Sequence, residues 1–287
     1  MGALWEPFSS DFMQRALVAT LIVGVLSPAV GTWVVLRRMA NLGDALGHGT
    51  LAGVAVAYAA GVSVLWGALV LAVLMALALA ALLQHRGLGA ESVVSIVGTG
   101  LFAVGVIVIS RQRTGVELTH FLFGRILTVS TADIVTNVVL CGAALATLGL
   151  VGRDLRLATF DRQHAIQVGV KVTAVDTVLL VLVAVSVVVS LRTVGTVMAV
   201  AMVVTPAATA QLVARRTPTM TLIAIAIAEL SGVSGLIIAY HLDVSPGATI
   251  ALVCTGVFVL VYVLRTAPQW VRHARWRPAG SALTRSR

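Results

Sequence analysis

Apolar runs of membrane-spanning length are the feature that most constrains this chain. A helix needs about 20 apolar residues to cross the hydrocarbon of a bilayer. Only 11% of the 287 residues are charged, against about 25% in a soluble domain. The sequence therefore predicts an all-α, polytopic transmembrane helix bundle of about eight or nine spans. The candidate spans lie near 16–36, 43–60, 64–84, 92–110, 132–151, 172–190, 194–214, 219–239 and 247–265.

Positive charges mark one side of this predicted bundle, because they follow alternate spans. Lys and Arg concentrate in cytoplasmic loops, so the pattern predicts an outer N-terminus and a cytoplasmic C-terminus. The net charge of +9 then reports orientation and not nucleic-acid binding. Arg111, Arg113 and Arg192 form a minority on the other side. The residues on the predicted cytoplasmic side are Arg37, Arg38, His85, Arg86, Arg153, Arg156, Arg162, Lys171, Arg215, Arg216, Arg265, Arg272, Arg275, Arg277, Arg285 and Arg287.

The chain contains no long polar linker, which indicates a single membrane domain. We expect a transmembrane domain at 1–267 and a basic cytoplasmic tail at 268–287. Residues 1–15 lack the basic start and cleavage site of a signal peptide, so the first span is expected to be retained. The segment 116–130 is a candidate for a short re-entrant piece.

The loop at 153–171 predicts a short helix between two spans. Asp161 is a good N-cap, Ala165 follows one turn later, and Gly169 suits a helix end. Such a helix is either a structural connector or the place where another protein presses on the bundle. Composition alone leaves both readings open.

Asp44 and His48 are the most informative polar pair, because a charge inside a bilayer is costly. At a spacing of four residues they share one face of a helix. A carboxylate and an imidazole suit a divalent metal such as Mn, Fe or Zn. The alternative is that Asp44 caps the helix while His48 hydrogen-bonds a neighbour.

Three further polar residues suggest a cation route across the bundle. Glu229 lies near the middle of the eighth span, and His241 and Asp243 lie at its outer end. Together with Asp44 and His48 they form a series from one face to the other. The two His and Asp pairs fall at opposite faces, however, so a shared metal would require residues 39–50 to re-enter the bilayer.

Other motifs narrow the chemistry. Pro206 lacks a backbone donor and predicts a kink or a break in the seventh span. The isolated Cys141 and Cys254 form no CxxC motif and read as buried apolar residues. No phosphate-binding GxxxxGK[ST] loop, HExxH or GxSxG motif occurs. The chain is therefore not expected to be an enzyme or to hydrolyse ATP by itself.

Four motifs occur in order along the chain. They are Arg37-Arg38-Met39 followed by Gly43-Asp44-Ala45 and His48; Asp161-Arg162-Gln163-His164-Ala165 ending in Gly169-Val170; Pro206-Ala207-Ala208-Thr209-Ala210; and Tyr240 with Asp243, Pro246 and Gly247. In order and spacing, from about residue 15 to residue 265, the sequence resembles the permease subunits of bacterial ABC importers for manganese, zinc and iron.

The resemblance implies an assembly and a mechanism. It implies two permease copies, a cytoplasmic ATP-binding subunit and an extracytoplasmic metal-binding protein in the plasma membrane of a bacterium. It makes 161–169, with Asp161, Ala165 and Gly169, the helix that couples to the ATPase. It makes Asp44 and His48 the leading metal ligands, with Asp243 next and His241 weaker; Glu229 has no matching family position. The divalent metal is the substrate, and no permanently bound cofactor is expected.

Two other functions remain open on the sequence alone. A permease for a metal chelate, such as a siderophore or cobalamin, would need a wide pathway without close protein ligands. A proton-coupled secondary transporter would use Glu229, and such transporters often contain inverted repeats. We find no convincing similarity between the two halves of the sequence.

Overall fold

The computed structural model describes residues 10–84, 89–111 and 130–275, and every regular element in these ranges is an α-helix. This confirms the predicted all-α bundle. Residues 116–129 of the predicted re-entrant piece and residues 276–287 of the predicted tail lie outside the described ranges. The helices are α1 (Asp11–Leu36), α2 (Asn41–Ala59), α3 (Val64–Leu82), α4 (Ala90–Arg111), α5 (Thr131–Phe160), α6 (Arg162–Gln167), α7 (Val172–Val213), α8 (Thr217–Leu242) and α9 (Pro246–Arg275).

Eight helical segments of the described chain are long and apolar enough to cross a membrane. Helices satisfy their backbone hydrogen bonds internally, which a hydrocarbon environment requires. The eight segments match eight of the predicted spans. The remaining predicted span is α2, a helix of 19 residues. Helix α2 is less apolar because it contains Asp44, His48 and four glycines, yet most of its side chains are buried inside the bundle.

Helix α1 ends in a tight corner that sets the start of α2. The amide of Met39 donates to the carbonyl of Val34, and the amide of Arg38 donates to that of Val35. This is the Schellman arrangement, in which the residue after the helix adopts a left-handed conformation. Arg38 occupies that position with φ of 57°. Arg38 therefore adopts a left-handed backbone conformation that glycine adopts more easily.

Contacts along α1 fix the directions of its neighbours. Gly24 lies against Glu229 and Thr20 lies against Gly232, so α8 is antiparallel to α1. Arg37 meets Asp176 and Ser27 meets Ser190, so the first part of α7 is also antiparallel to α1.

Contacts between the other helices give their directions in the same way. Helix α2 is parallel to α4 and antiparallel to α3, and α9 is antiparallel to α8. These contacts are Ala45 with Gly98, Ala52 with Gly105, Gly49 with Met75, Gly53 with Leu71, Gly235 with Ile250, and Ser231 with Cys254.

These directions gather most of the described basic loop residues at one end of the bundle, which we call the basic end. Helix α1 ends there, the turn between α7 and α8 lies there, and α9 runs toward it. The loop between α8 and α9, with Asp243, lies at the opposite end. The basic residues in question are Arg37, Arg162, Lys171, Arg215 and Arg216.

Helix α7 is interrupted at Gly195, where φ is 84° and ψ is 172°. The segments Val172–Leu191 and Gly195–Val213 are separately long enough to cross a membrane. Gly43 faces Val203 and Gly47 faces Val200, so the second segment runs against α2 and back toward the basic end. The two predicted spans, 172–190 and 194–214, are confirmed.

At Pro206, where the sequence predicts a kink or a break, the helix continues without a break. A proline removes one amide donor, and neighbouring helices in a bundle tolerate this loss. The non-helical backbone lies at Gly195 instead, where glycine permits a positive φ at no steric cost.

Close backbone packing holds the second segment of α7 against α1. Between α1 and the second segment of α7, a Cβ atom at Gly31 would overlap the backbone carbonyl of Val203. Between α2 and α3, a Cβ atom at Gly53 would lie 2.6 Å from the carbonyl oxygen of Gly67. Small residues allow helix backbones to approach in this way. Helix α2 packs against α3, α4 and the second segment of α7, and Asp44 and His48 lie on its exposed face.

Candidate metal site

Asp44 and His48 lie one turn apart on α2, as the sequence predicts. His48 Nδ1 is 3.3 Å from Asp44 Oδ1, and the two side chains are 48% and 60% exposed. Most of the neighbouring α2 residues are buried, including Ala45, Leu46 and Gly47. The pair therefore forms a polar, accessible patch in the part of α2 from 42 to 55, where all the other residues are buried.

A backbone hydrogen bond orients the imidazole of His48. Nδ1 lies 2.9 Å from the backbone carbonyl oxygen of Asp44. A carbonyl oxygen only accepts hydrogen bonds, so Nδ1 carries a proton, and the neutral form of the ring then has its lone pair on Nε2. A histidine whose other nitrogen donates to a carbonyl or carboxylate is the usual form of a metal-ligating histidine. Asp44 thus supports His48 and also offers its own carboxylate.

Helix α4 supplies a second contact to His48 that the sequence did not predict. The His48 and Phe102 rings meet edge to face, with centroids 5.2 Å apart and planes at 82°. Gly98 allows α4 to approach closely, because a Cβ there would lie 2.8 Å from that of Ala45. An isolated Phe in an apolar span carries no sequence signal for such a role.

Glu229 lies at a different level of the bundle. It faces α1, where a Cβ atom at Gly24 would approach Glu229 Oε1 to 2.7 Å. Both of its carboxyl oxygens are buried without a hydrogen-bond partner. Within the described residues, the glutamate is therefore packed between helices and is not grouped with the other candidate ligands.

His241 and Asp243 are exposed at the end of α8, opposite the basic end. His241 Nδ1 is 2.9 Å from the carbonyl oxygen of Ile237, and Asp243 ends the helix in a left-handed conformation with φ of 52°. Asp44 follows the corner at the basic end. Across residues 10–84, 89–111 and 130–275, no three His, Cys, Asp or Glu side chains are close enough to hold one metal ion.

The predicted short helix after α5 is present as α6. The Asp161 side chain accepts from the amide of His164 at 2.8 Å, which is an N-cap hydrogen bond. Ala165 is fully buried, and Gly169 ends the element with φ of 85°. The remaining side chains of α6 are exposed, so the helix presents a surface at the basic end.

Asp176 is a polar residue in a predicted span that the sequence interpretation missed. It forms ion pairs with Arg37 and Arg162. The cost of a charge in an apolar span, which identified Asp44 and Glu229, applies equally to Asp176. The charge pattern placed Arg37 on the cytoplasmic side without a partner in the protein, whereas its side chain is mostly buried and paired with Asp176.

Comparisons with known proteins agree with the fold and the motifs. The model of the ABC 3 transport family matches residues 9–265. A manganese transport system membrane protein, MntC, of Halalkalibacterium halodurans is 36% identical over 270 residues, which are 94% of this chain and 92% of that protein. A probable iron transport system membrane protein of Haemophilus influenzae is 32% identical over 257 residues, which are 90% of this chain and 95% of that protein.

Solved structures share the architecture. PsaBC from Streptococcus pneumoniae, solved with a Fab, matches with a TM-score of 0.83 and 28% identity over 94% of this chain and 98% of that one. An inward-facing putative metal-chelate type ABC transporter matches with a TM-score of 0.70 and 17% identity over 88% of this chain and 85% of that one, which shows the fold alone. Taken with the family match over residues 9–265, these similarities show that the chain is a multi-pass bacterial membrane protein belonging to the ABC 3 transport family.

Proposed function

We propose that the chain is the membrane-spanning subunit of an ATP-driven importer of a divalent metal ion, with Asp44 and His48 on the route of the ion. The Asp44 and His48 pair carries this proposal. The imidazole is fixed through Nδ1, its Nε2 is free to ligate, and a carboxylate lies beside it. Relatives named for manganese and iron transport support the same substrate class. Oxygen and imidazole nitrogen donors suit manganese, iron and zinc alike.

One copy of the chain supplies too few ligands for such an ion. Protein-bound zinc takes four ligands, and the described residues of one copy bring together only the two side chains of this pair. Both side chains are half-exposed on α2. A second copy that places its own α2 opposite this one would complete a four-donor set, so we propose a homodimer with the ion path between the copies.

The basic end is proposed to face the cytoplasm, following the positive-inside rule. This places the end of α9, and with it the C-terminal side of the chain, in the cytoplasm. Helix α6 then meets the cytoplasmic ATP-binding subunit through its exposed face. The loop with His241 and Asp243 faces the extracytoplasmic metal-binding protein that delivers the ion.

The proposed mechanism is alternating access driven by the ATPase. Metal released near Asp243 enters the path between the two copies and reaches the Asp44 and His48 pairs. Closure of the ATPase subunits displaces α6 and opens the path toward the basic end. The pairs must bind the ion only modestly, because an ion that is held too tightly cannot leave.

The test is metal uptake into vesicles that contain the chain with its ATPase subunit and binding protein. Uptake of Mn²⁺, Fe²⁺ and Zn²⁺ is compared for wild type, Asp44→Asn and His48→Ala at equal reconstitution. Loss of a ligand is expected to reduce uptake at least about tenfold. Thr136→Ala, at a partly exposed polar residue of α5, is the control and should leave uptake unchanged. Undiminished uptake in both ligand variants, or uptake without ATP, would contradict the proposal.

A metal chelate is the second candidate substrate, because a chelated iron transport system membrane protein, YfeD, of Yersinia pestis is 31% identical over 90% of this chain. The same vesicles distinguish the two substrates. Free ion should be taken up and should lose transport with His48→Ala. A chelate would be taken up intact and would be insensitive to that change, since its own ligands surround the metal.

A further inference from the structure

We propose that Asp176 is a positioning residue that connects the coupling helix α6 to the corner from which α2 begins, and so transmits the motion of α6 to Asp44 and His48. This inference rests on the proposed function. It assigns a role to one carboxylate in the first two turns of α7.

Each carboxyl oxygen of Asp176 holds a different arginine. Oδ1 accepts from Arg37 Nη1, and Oδ2 accepts from Arg162 Nη1 at 3.0 Å. Arg37 ends α1 and Arg162 begins α6. One side chain therefore joins two elements that are far apart in the sequence and that have no other ion pair in the described chain.

The two arginines differ in their surroundings. The Arg37 side chain is 13% exposed, that of Asp176 is 24% exposed, and that of Arg162 is 58% exposed. The ion pair between Asp176 and Arg37 is mostly buried and is expected to stay closed, because separating a buried pair leaves an uncompensated charge. Exposed pairs are weak and exchange readily with water. The contact with Arg162 is therefore the one that can open when α6 moves.

Arg37 has further contacts that hold it in place. Its Nε donates to Thr159 Oγ1 at 3.0 Å, and Thr159 in turn donates to the carbonyl of Leu155 at 2.6 Å. Its Nη2 is buried without a partner. The end of α5 and the end of α1 thus share the network with Asp176, and Arg37 cannot move without disturbing both.

The connection continues into α2 through a short and strained corner. Four residues separate the two helices, and Arg38 among them has a positive φ of 57°. A non-glycine residue holds this conformation only when its surroundings impose it. Asp44 lies in the first turn of α2. A displacement of Arg37 therefore shifts the start of α2 together with the pair on it.

A thiol-reactivity measurement tests this connection without any metal. In the complete complex, His48→Cys gives a reporter thiol on α2, and the two native cysteines are buried. Its rate of modification by a charged thiol reagent is compared with and without a nonhydrolysable nucleotide. We expect nucleotide to change the rate by about fivefold, the lower range of allosteric coupling. Arg162→Gln should abolish that change, whereas Arg156→Gln, an exposed arginine on α5, should retain it.

Transport provides the second readout. Asp176→Asn, at a carboxylate outside α6, is expected to keep assembly with the ATPase and its ATP hydrolysis, while the number of metal ions taken up per ATP falls about fivefold. Arg162→Gln should lower this number as well. The double variant should be no worse than Asp176→Asn alone, because that change already removes the ion pair with Arg162.

The outcomes separate the two proposals. A nucleotide effect that persists in Arg162→Gln, or additive losses in the double variant, would overturn the role of Asp176. Loss of assembly in Arg162→Gln would also overturn it, by assigning that arginine to docking alone. If wild type takes up no metal while the nucleotide effect is present and depends on Arg162, the proposed function fails and the connection stands.

Discussion

The rings of Phe102 and His48 meet edge to face at a centroid distance of 5.2 Å. This contact and the hydrogen bond from Nδ1 to the carbonyl of Asp44 approach the ring from two helices. The orientation of Nε2 is therefore set by α4 as well as by α2. A metal site on α2 would depend on a residue that cannot itself bind metal.

Phe102→Leu is expected to weaken metal binding without preventing transport. Loss of the ring contact frees the imidazole, and an aromatic pair of this kind contributes about 0.5–1.5 kcal/mol. The KM for metal uptake should rise about 2- to 10-fold at an unchanged maximal rate. Phe12→Leu, at an exposed phenylalanine of α1, should leave KM unchanged. An equal KM in Phe102→Leu and wild type would remove Phe102 from the site.

Asp161→Ala and Asp161→Asn separate the cap of α6 from its charge. The alanine variant loses the hydrogen bond from the His164 amide and should destabilise the helix by about 1 kcal/mol. Asparagine caps helices equally well, so it should preserve function. We expect metal-stimulated ATP hydrolysis by the complex to fall with alanine and to persist with asparagine. Equal losses in both variants would indicate that the charge of Asp161 contacts the ATPase.

Gly31→Ala should destabilise the bundle by about 1–3 kcal/mol, the range for overpacking a core. The added methyl group would overlap the Val203 carbonyl and force α1 away from α7. Gly149→Ala is the matched control, since nothing lies within 4 Å of its Cβ position, and it should raise helix stability slightly. Thermal unfolding midpoints in detergent measure both changes. A Gly31→Ala midpoint at or above that of wild type would contradict the close approach.

Glu229→Met should stabilise the protein by about 1–3 kcal/mol, because it replaces buried carboxyl oxygens that have no partner. Metal uptake is expected to remain near that of wild type, since no other candidate ligand lies near Glu229 in the described chain. Glu91→Met, at an exposed glutamate of α4, should not stabilise. Loss of uptake in a stable Glu229→Met variant would instead place Glu229 on the ion route, as the sequence first suggested.

The sequence predicted the spans well because each one is a long apolar run, and the transfer of a helix into a bilayer depends on the residues of that helix alone. It also predicted the N-cap of α6, because a cap is a local interaction between Asp161 and the following turn. The interruption at Gly195 was harder to assign. Proline is the conspicuous helix breaker, yet Pro206 remains helical in the bundle while a glycine adopts the non-helical torsion.

The parts of the site that could not be predicted from the sequence are contacts between residues far apart along the chain. Phe102 reaches His48 only because Gly98 lets α4 approach α2. Asp176 meets Arg37 across 139 positions of the chain, and nothing in the local pattern of either residue indicates the other. Spatial proximity within a fold has no signature in a single sequence.

The direction of the helices has a consequence for engineering two copies into one polypeptide. Helix α1 begins at the end of the bundle opposite to the one where α9 finishes. A linker from the last helix of one copy to the first helix of the next must therefore return across the bilayer. A tandem fusion requires an added hydrophobic helix of about 20 residues, and a flexible soluble linker would invert the second copy.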